Sequence, residues 1–200
     1  NRAFQNVHGI SPICAREKGI VLNAYPPVKF SVTITGGEVM PYRVKEKAEM
    51  RIVGIRMPLT MDMDENQRIV PPFWKKTLNS NLFTQITDMN NLLLNKDLGI
   101  TACQNADEIY YYIVVSTESS VPNGMHECII TAATWVIFEN VGYFKESIQN
   151  IYKRFLIEWL PFSGYSYAEL PDIEVYPINA ELPQSGHFEV WIAIKKEREK

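Results

Sequence analysis

The sequence predicts an α+β fold. Two strand–helix–strand–strand modules follow one another and build an antiparallel sheet, with two helices on one face and a central cleft on the other. Three observations carry this reading. Between residues 49 and 196, strand-type and helix-type patterns come in the same order twice. The closing strands of the two halves align in register, Tyr112-Ile-Val-Val-Ser-Thr117 with Trp191-Ile-Ala-Ile-Lys-Lys196. Each half also holds one segment with an apolar stripe at helical spacing. A duplication of this kind implies a pseudo-twofold axis with a groove between the halves.

The chain has 200 residues, 46% hydrophobic and 12% aromatic, enough for one sizeable core or two small units. Its 20 Lys and Arg against 23 Asp and Glu leave a net charge of −3, so the chain as a whole is a poor nucleic-acid binder. There is no apolar run of membrane-spanning length and no signal-peptide pattern, which predicts a soluble cytoplasmic protein. Cys14, Cys103 and Cys128 are far apart and lack a CxxC pairing, so reduced thiols are expected, with no zinc and no other metal site. The chain opens on Asn1 rather than Met, as a fragment or processed chain would.

Residues 1–24 read as two short helices around Gly9. Ser11-Pro12 supplies an N-cap and a first-turn proline for the second, and Gly19 ends it. This is the shape of a helix-turn-helix remnant or of a generic helical hairpin. Residues 25–48 form a linker and β-ribbon. Pro26-Pro27 enforces extension, Phe30–Thr35 alternates as a strand, Gly36-Gly37 turns, and Val39–Val44 pairs back.

The main domain spans residues 49–200. Met50–Met57 is its first strand and residues 61–68, charged and irregular, a loop. Pro71-Pro72 opens a helix that runs to about Asn91, with Trp74, Leu78, Leu82 and Ile86 at spacings of four. Strands follow at Leu98–Cys103 and at Ile109–Ser116, the latter of strong β-propensity. The second half repeats the order. A strand runs from Cys128 to Asn140, and a helix from Phe144 to Leu160 with Ile148, Ile151, Tyr152, Phe155 and Trp159 on one face. Strands follow at 172–178 and 187–195.

Alternation then assigns the faces. Phe188, Val190, Ile192 and Ile194 share one side of the last strand, and Glu189 and Trp191 the other. On the short strand, Ile173 and Val175 are assigned to the helix-covered side, leaving Asp172, Glu174 and Tyr176 opposite. The register adds Tyr110 and Tyr112. A face with two carboxylates and four aromatics suits an organic cation. The same pattern also fits an exposed face carrying scattered Tyr and Glu. Trp74, from the first helix stripe, completes the candidate ligand-binding set of Glu174, Tyr176, Glu189, Trp191, Tyr110, Tyr112 and Trp74.

Other chemistry is sparse. Gly36-Gly37 lacks phosphate-loop spacing, there is no GxSxG elbow, and no cofactor is expected. His8, His126 and His187 have no fixed partner. Asp62-Met-Asp-Glu65 reads as a solvated loop, and Glu158 as a helix-end residue.

Glu158-Trp-Leu-Pro-x-Ser-Gly-Tyr165, Pro171-Asp-x-Glu-x-Tyr176 and Glu189-x-Trp-Ile192 together resemble the GyrI-like effector-binding domain over residues 49–196. Val53-Gly-Ile-Arg56 and Val136-x-Phe138 with Gly142 fit the starts of its halves. The sequence departs from the family at Met57-Pro-Leu-Thr60 and Val141-Gly-Tyr143, where Gly-Pro-Tyr is usual. Arg2-Ala-Phe4, Gly9-Ile-Ser-Pro12 and Arg16 are similar to the end of the second helix-turn-helix of AraC-family regulators. The resemblance implies a ligand cleft for a small aromatic or cationic effector, with Glu174 as the contacting glutamate, Tyr176 beside it, and Glu189 and Trp191 flanking. It implies DNA contact, with Arg2 and Arg16 in the remnant, only through a full-length regulator. Three functions follow as alternatives: an effector sensor, a GyrI-like hydrolase of strained electrophiles using Glu174 with Tyr112 or Trp191 nearby, and a protein-docking groove.

Overall fold

A computed structural model describes residues 39–91, 96–105, 108–168, 170–177 and 185–196, together with Ala15. Residues 38–200 cluster into one compact unit. The helices expected within 1–24, with Arg2 and Arg16, and the strand at 30–35 lie outside the described residues.

The strands are β1 (Tyr42–Lys47), β2 (Met50–Pro58), β3 (Lys96–Asn105), β4 (Glu108–Ser116), β5 (His126–Ile130), β6 (Ala133–Tyr143), β7 (Tyr165–Tyr167), β8 (Asp172–Pro177) and β9 (Ser185–Lys196). They form one sheet in the order β1-β6-β9-β8-β3-β4-β2-β5, with the short β7 on the end of β9. All pairings are antiparallel.

The duplication is visible in this order. The first half contributes β2, β3 and β4, and the second β6, β8 and β9. Each module sets its strands as first, last, middle, and the two middle strands, β3 and β8, meet at the centre. The aligned residues Tyr112 and Trp191 pair with Ile100 and Ile173, and those two pair with each other across the junction. The register read from sequence therefore coincides with the twofold of the sheet.

Among the described residues of the main domain, three α-helices stand where two were expected: α1 (Met63–Leu78), α2 (Asn81–Asp88) and α3 (Phe144–Arg154). Helix α1 overturns the loop expected at 61–68. Asp62 caps it, accepting from the amides of Asp64 at 2.8 Å and Glu65 at 3.2 Å. Both are acidic, which suits the positive helix N-terminus. Buried Asn66 ties this first turn down through two bonds with the Thr60 backbone, at 2.9 and 2.8 Å. Pro71 and Pro72 thus sit inside the helix rather than at its start. The expected long helix instead breaks at Asn79-Ser80, so Leu82 is exposed while Ile86 is buried. In the second half, α3 continues as a π-turn at Phe155–Trp159 and a 3-10 turn at Leu160–Phe162. Glu158 pairs with Arg154 there at 2.8 Å.

Two further differences concern strands. The strand expected over 128–140 is two, β5 and β6, separated at Thr131-Ala132. Strand β1 pairs with β6 in the main sheet, rather than in a separate ribbon. Gly54 is required where it stands. A Cβ there would lie 2.1 Å from the Ile113 carbonyl oxygen, an impossible contact with β4.

Both faces of the sheet are buried. On the helix side lie two clusters. Tyr111, Ile113, Val115 and Val53 pack with Ile86 of α2. Phe138, Phe188, Val190 and Ile192 pack with Ile151 of α3 and with Phe155 and Trp159 beyond it. Trp74 of α1 packs against both. The opposite side buries Tyr112, Val114, Trp135, Ile137, Ile173, Val175 and Trp191.

Candidate functional site

Strand β8 occupies the centre of the sheet, between β3 and β9. Asp172, Glu174 and Tyr176 alternate onto one of its faces. Glu174 stands opposite Gly99 on β3 and Val190 on β9. Val190 belongs to the cluster under α3, so Glu174 points to the helix side. Its neighbour across β3 has no side chain. A glycine in a strand interior marks a place where something approaches the backbone closely.

The carboxylate is held by phenols. Tyr111 on β4 donates to Glu174 Oε2 at 2.6 Å, and Tyr176 donates to the same oxygen at 3.0 Å. Trp74 Nε1 donates to the Tyr111 hydroxyl at 2.9 Å, completing a relay from α1 through β4 to β8. The Trp74 ring also meets Tyr176 edge-on at 5.4 Å, and Tyr176 stacks on Phe188. Glu174 therefore lies at the seam between the two helix-side clusters, with one tyrosine donor from each.

Two features make this carboxylate unusual. Both donors reach Oε2, and Oε1 takes no hydrogen bond among the described residues. No cation pairs with Glu174 among the described residues either. Burial raises its pKa, and the Tyr111 and Tyr176 bonds oppose that rise. Burial and then the nearby Glu174 charge push the Tyr111 and Tyr176 phenols well above their usual range, so both stay protonated as donors. Asp172, two residues earlier, is pushed up to about 7, chiefly by burial and further by Glu174, against a bond from Tyr167. The Tyr152 phenol on α3 is also pushed well up, by burial first and then by Asp172 and Glu174.

The seven residues expected to line one cleft are divided. Glu174, Tyr176 and Trp74 come together on the helix side. Glu189, Trp191, Tyr110 and Tyr112 lie on the opposite face. Buried Glu189 accepts from Trp191 Nε1 at 2.7 Å and pairs with Arg43 at 3.1 Å. Arg43 also pairs with Glu139. Arg56 lies 4.0 Å over the Tyr110 ring and donates to the Tyr112 hydroxyl at 3.2 Å. Lys47 lies 4.7 Å over Trp191. This face thus already supplies its own cations.

The misassignment has a physical cause. Apolar character alone assigns Ile173 and Val175 to the helix side, but both sides of β8 are buried. The register pairs Ile173 with Trp191 and Val175 with Glu189, away from the helices. Glu174 and Tyr176 consequently face the helix side, contrary to the expectation.

The candidate set drawn from the sequence omits Tyr111, Tyr152 and Asp172, although Asp172 is assigned to the same face as Glu174. Tyr111 was legible, since alternation within Tyr110-Tyr-Tyr112 sets it opposite its neighbours. Asp172 shares a face with Glu174 by the same rule. A separate open depression of about 330 Å³ is lined by residues between Leu160 and Tyr167, including Phe162 and Tyr165. Tyr167 connects its rim to Asp172.

Comparison with known proteins agrees with this architecture. Residues 43–194 match the model of the family described as integron-associated effector binding protein. The chain belongs to this effector-binding family. The match begins within β1, which accords with the place of that strand in the main sheet. No curated protein matches the chain. Among solved structures, a proposed bacterial transcription regulation protein from Staphylococcus aureus MU50 superposes with a TM-score of 0.66 at 16% identity, over 78% of this chain and 99% of that one. The structure of SAV2435 bound to tetraphenylphosphonium gives 0.68 at 18%, over 78% and 94%. The EcmrR C-terminal domain gives 0.54 at 15%, over 80% and 100%. At these identities the likeness concerns the fold, which is that of GyrI-like effector-binding domains. Among the described residues, no helix is long and apolar enough to cross a membrane.

Proposed function

We propose that this chain is the ligand-sensing part of a transcriptional regulator and that it binds a small aromatic cation at Glu174. The observation that carries the reading is a central, mostly buried carboxylate with one oxygen unbonded, no described cation partner, and Tyr111, Tyr176 and, through Tyr111, Trp74 linked to it by hydrogen bonds. Aromatic faces attract cations, and a carboxylate without a counter-charge gains by receiving one. The hydrophobic rings supply apolar contact for an aryl or alkyl body. The fold shared with SAV2435, a protein captured with tetraphenylphosphonium, makes that ion the natural first probe.

The regulatory role is supported by the family and by the AraC-like residues Arg2-Ala-Phe4, Gly9-Ile-Ser-Pro12 and Arg16. In this reading residues 1–24 are the end of a DNA-binding domain, and DNA is contacted only by the full-length protein. The effector would act by favouring one disposition of that domain over another. A soluble, cytoplasmic setting follows from this role. Calorimetric titration with tetraphenylphosphonium tests the ligand class. Saturable one-to-one binding is expected, and no heat at millimolar ligand would remove the reading.

A further inference from the structure

We propose that the side of the sheet away from the helices holds an acceptor site for a small carboxylate, built from the Trp135 indole N–H and the lysines of β1. The site is separate from Glu174 and takes a ligand of the opposite charge.

The two edges of the sheet are joined. In the β1–β6 ladder Lys47 faces Ala133, and in the β2–β5 ladder Met50 faces Ile130. The partner number falls without a break across the links at 48–49 and 131–132. Strands β1 and β2 on one side, and β5 and β6 on the other, thus make one continuous ribbon. The order β6-β9-β8-β3-β4-β2 leads from one strand of that ribbon round to the other. The sheet therefore closes on itself, and the face away from the helices is its interior. Closure accounts for the burial of Tyr112, Ile137, Ile173 and Trp191 there, in a cluster to which no described helix contributes.

Arg43, Lys45 and Lys47 share this side, because they face Ile137, Trp135 and Ala133 of β6. Arg43 is matched by Glu139 and Glu189. Lys45 has no ion pair among the described residues. Lys47 holds its ammonium 4.7 Å over the Trp191 ring, and that ring lies 6.3 Å from the ring of Trp135. Trp135 is thus flanked by Lys45 across the strand pair and by Lys47 above its neighbour.

A second, independent observation is the Trp135 N–H itself. Trp135 is fully buried, and its Nε1 has no hydrogen-bond partner. Trp191 Nε1, on the same face, donates to Glu189 at 2.7 Å. One indole has its acceptor and the other lacks one. A buried donor without an acceptor is costly. An indole N–H only donates, so the missing group is an acceptor. Beside two lysines, a charged acceptor is favoured over a neutral one. A carboxylate can offer one oxygen to Nε1 and the other to an ammonium. The register neighbour Ala193 and the adjacent Ala133 are small, and the interior of so few strands admits only a small body. Lys45 is exposed and Lys47 half-buried, so their flexible stems can move aside to admit it.

The test titrates acetate, with acetamide as its uncharged isostere, into the isotope-labelled full chain at constant ionic strength and follows the four indole N–H signals by NMR. The Trp135 signal is assigned by its loss in Trp135→Phe. Acetate is expected to shift that signal saturably and to bind at least tenfold more tightly than acetamide. The double variant Lys45→Met, Lys47→Met keeps both stems and should weaken acetate at least tenfold. In Trp135→Phe the accompanying shift of the Trp191 signal should disappear. Glu174→Gln should leave acetate binding unchanged, so failure here is distinct from failure of the cation reading. The proposal is wrong if acetate shifts no indole signal saturably, or if acetamide binds as tightly. It is equally wrong if the lysine variant binds acetate as the wild type does, or if Trp135→Phe keeps the shift of Trp191. A thermal melt checks each fold, and the lysine variant, whose changes lie outside the core, decides the matter if Trp135→Phe does not fold.

Discussion

Replacing Glu174 with Gln removes one charge and little else. The amide is close to isosteric, and its oxygen can still accept from Tyr111 and Tyr176, which hold Oε2 at 2.6 and 3.0 Å. A cation centred about 5 Å from the carboxylate, at an effective dielectric constant of about 20, is attracted by about 3 kcal/mol. Glu174 retains partial accessibility, so solvent screening could halve this. The expected loss of tetraphenylphosphonium affinity thus lies between about tenfold and two hundredfold, at roughly 1.4 kcal/mol per decade. The assay is calorimetric titration at pH 8, with a thermal melt as a control for folding. The pH dependence gives a second readout. Burial raises the Glu174 pKa, so wild-type affinity should fall as pH drops and the carboxylate takes a proton. The Gln variant should lose most of that dependence. Affinity within twofold of wild type at pH 8 would show that the carboxylate does not hold the cation.

Three further perturbations separate the parts of the account. Asp172 has a folded pKa of about 7 against 3.8 for the free group, so the native state binds the extra proton between those values. Stability from this group is therefore full below about pH 4 and declines as pH rises to 7. Asp172→Asn should raise the melting temperature at pH 8 and leave it unchanged near pH 4; equal shifts at both would contradict the assignment. Tyr111→Phe deletes a donor to Glu174 and the acceptor of Trp74 Nε1, and should cost about 1–3 kcal/mol in urea unfolding. Glu189→Gln disturbs the buried pair with Arg43 and should also destabilise by about 1–3 kcal/mol, yet leave tetraphenylphosphonium affinity within twofold. A large affinity loss there would return the ligand to the other face.

How much of this was legible in the sequence depends on the element. Strands β2, β4, β8 and β9 announced themselves by β-branched and aromatic runs, and the Tyr112–Trp191 alignment carried the symmetry of the sheet. Glu174 was conspicuous as a carboxylate between β-branched neighbours. Its direction was harder to read. Periodicity separates the two faces of a strand but does not name them, and here Ile173 and Val175 on one side are as buried as Tyr176 on the other. The alternation rule needed the cross-strand register, Ile173 to Trp191, which only the fold supplies. The start of α1 was misread for a different reason. Pro71-Pro72 resembles a helix opening, whereas the Asp62 cap nine residues before Pro71 forms the real one. The pairing of β1 with β6 joins segments about 90 residues apart, a contact that local pattern does not encode.

The central claim is that Glu174, on the helix-covered side of the sheet, is where a cation is held. A crystal structure of the chain with tetraphenylphosphonium tests it most directly. The account predicts the phosphonium beside the Glu174 carboxylate, with its aryl groups among Trp74, Tyr111, Tyr152 and Tyr176. An ion seated instead against Glu189 and Trp191, or in the depression near Phe162, would contradict it.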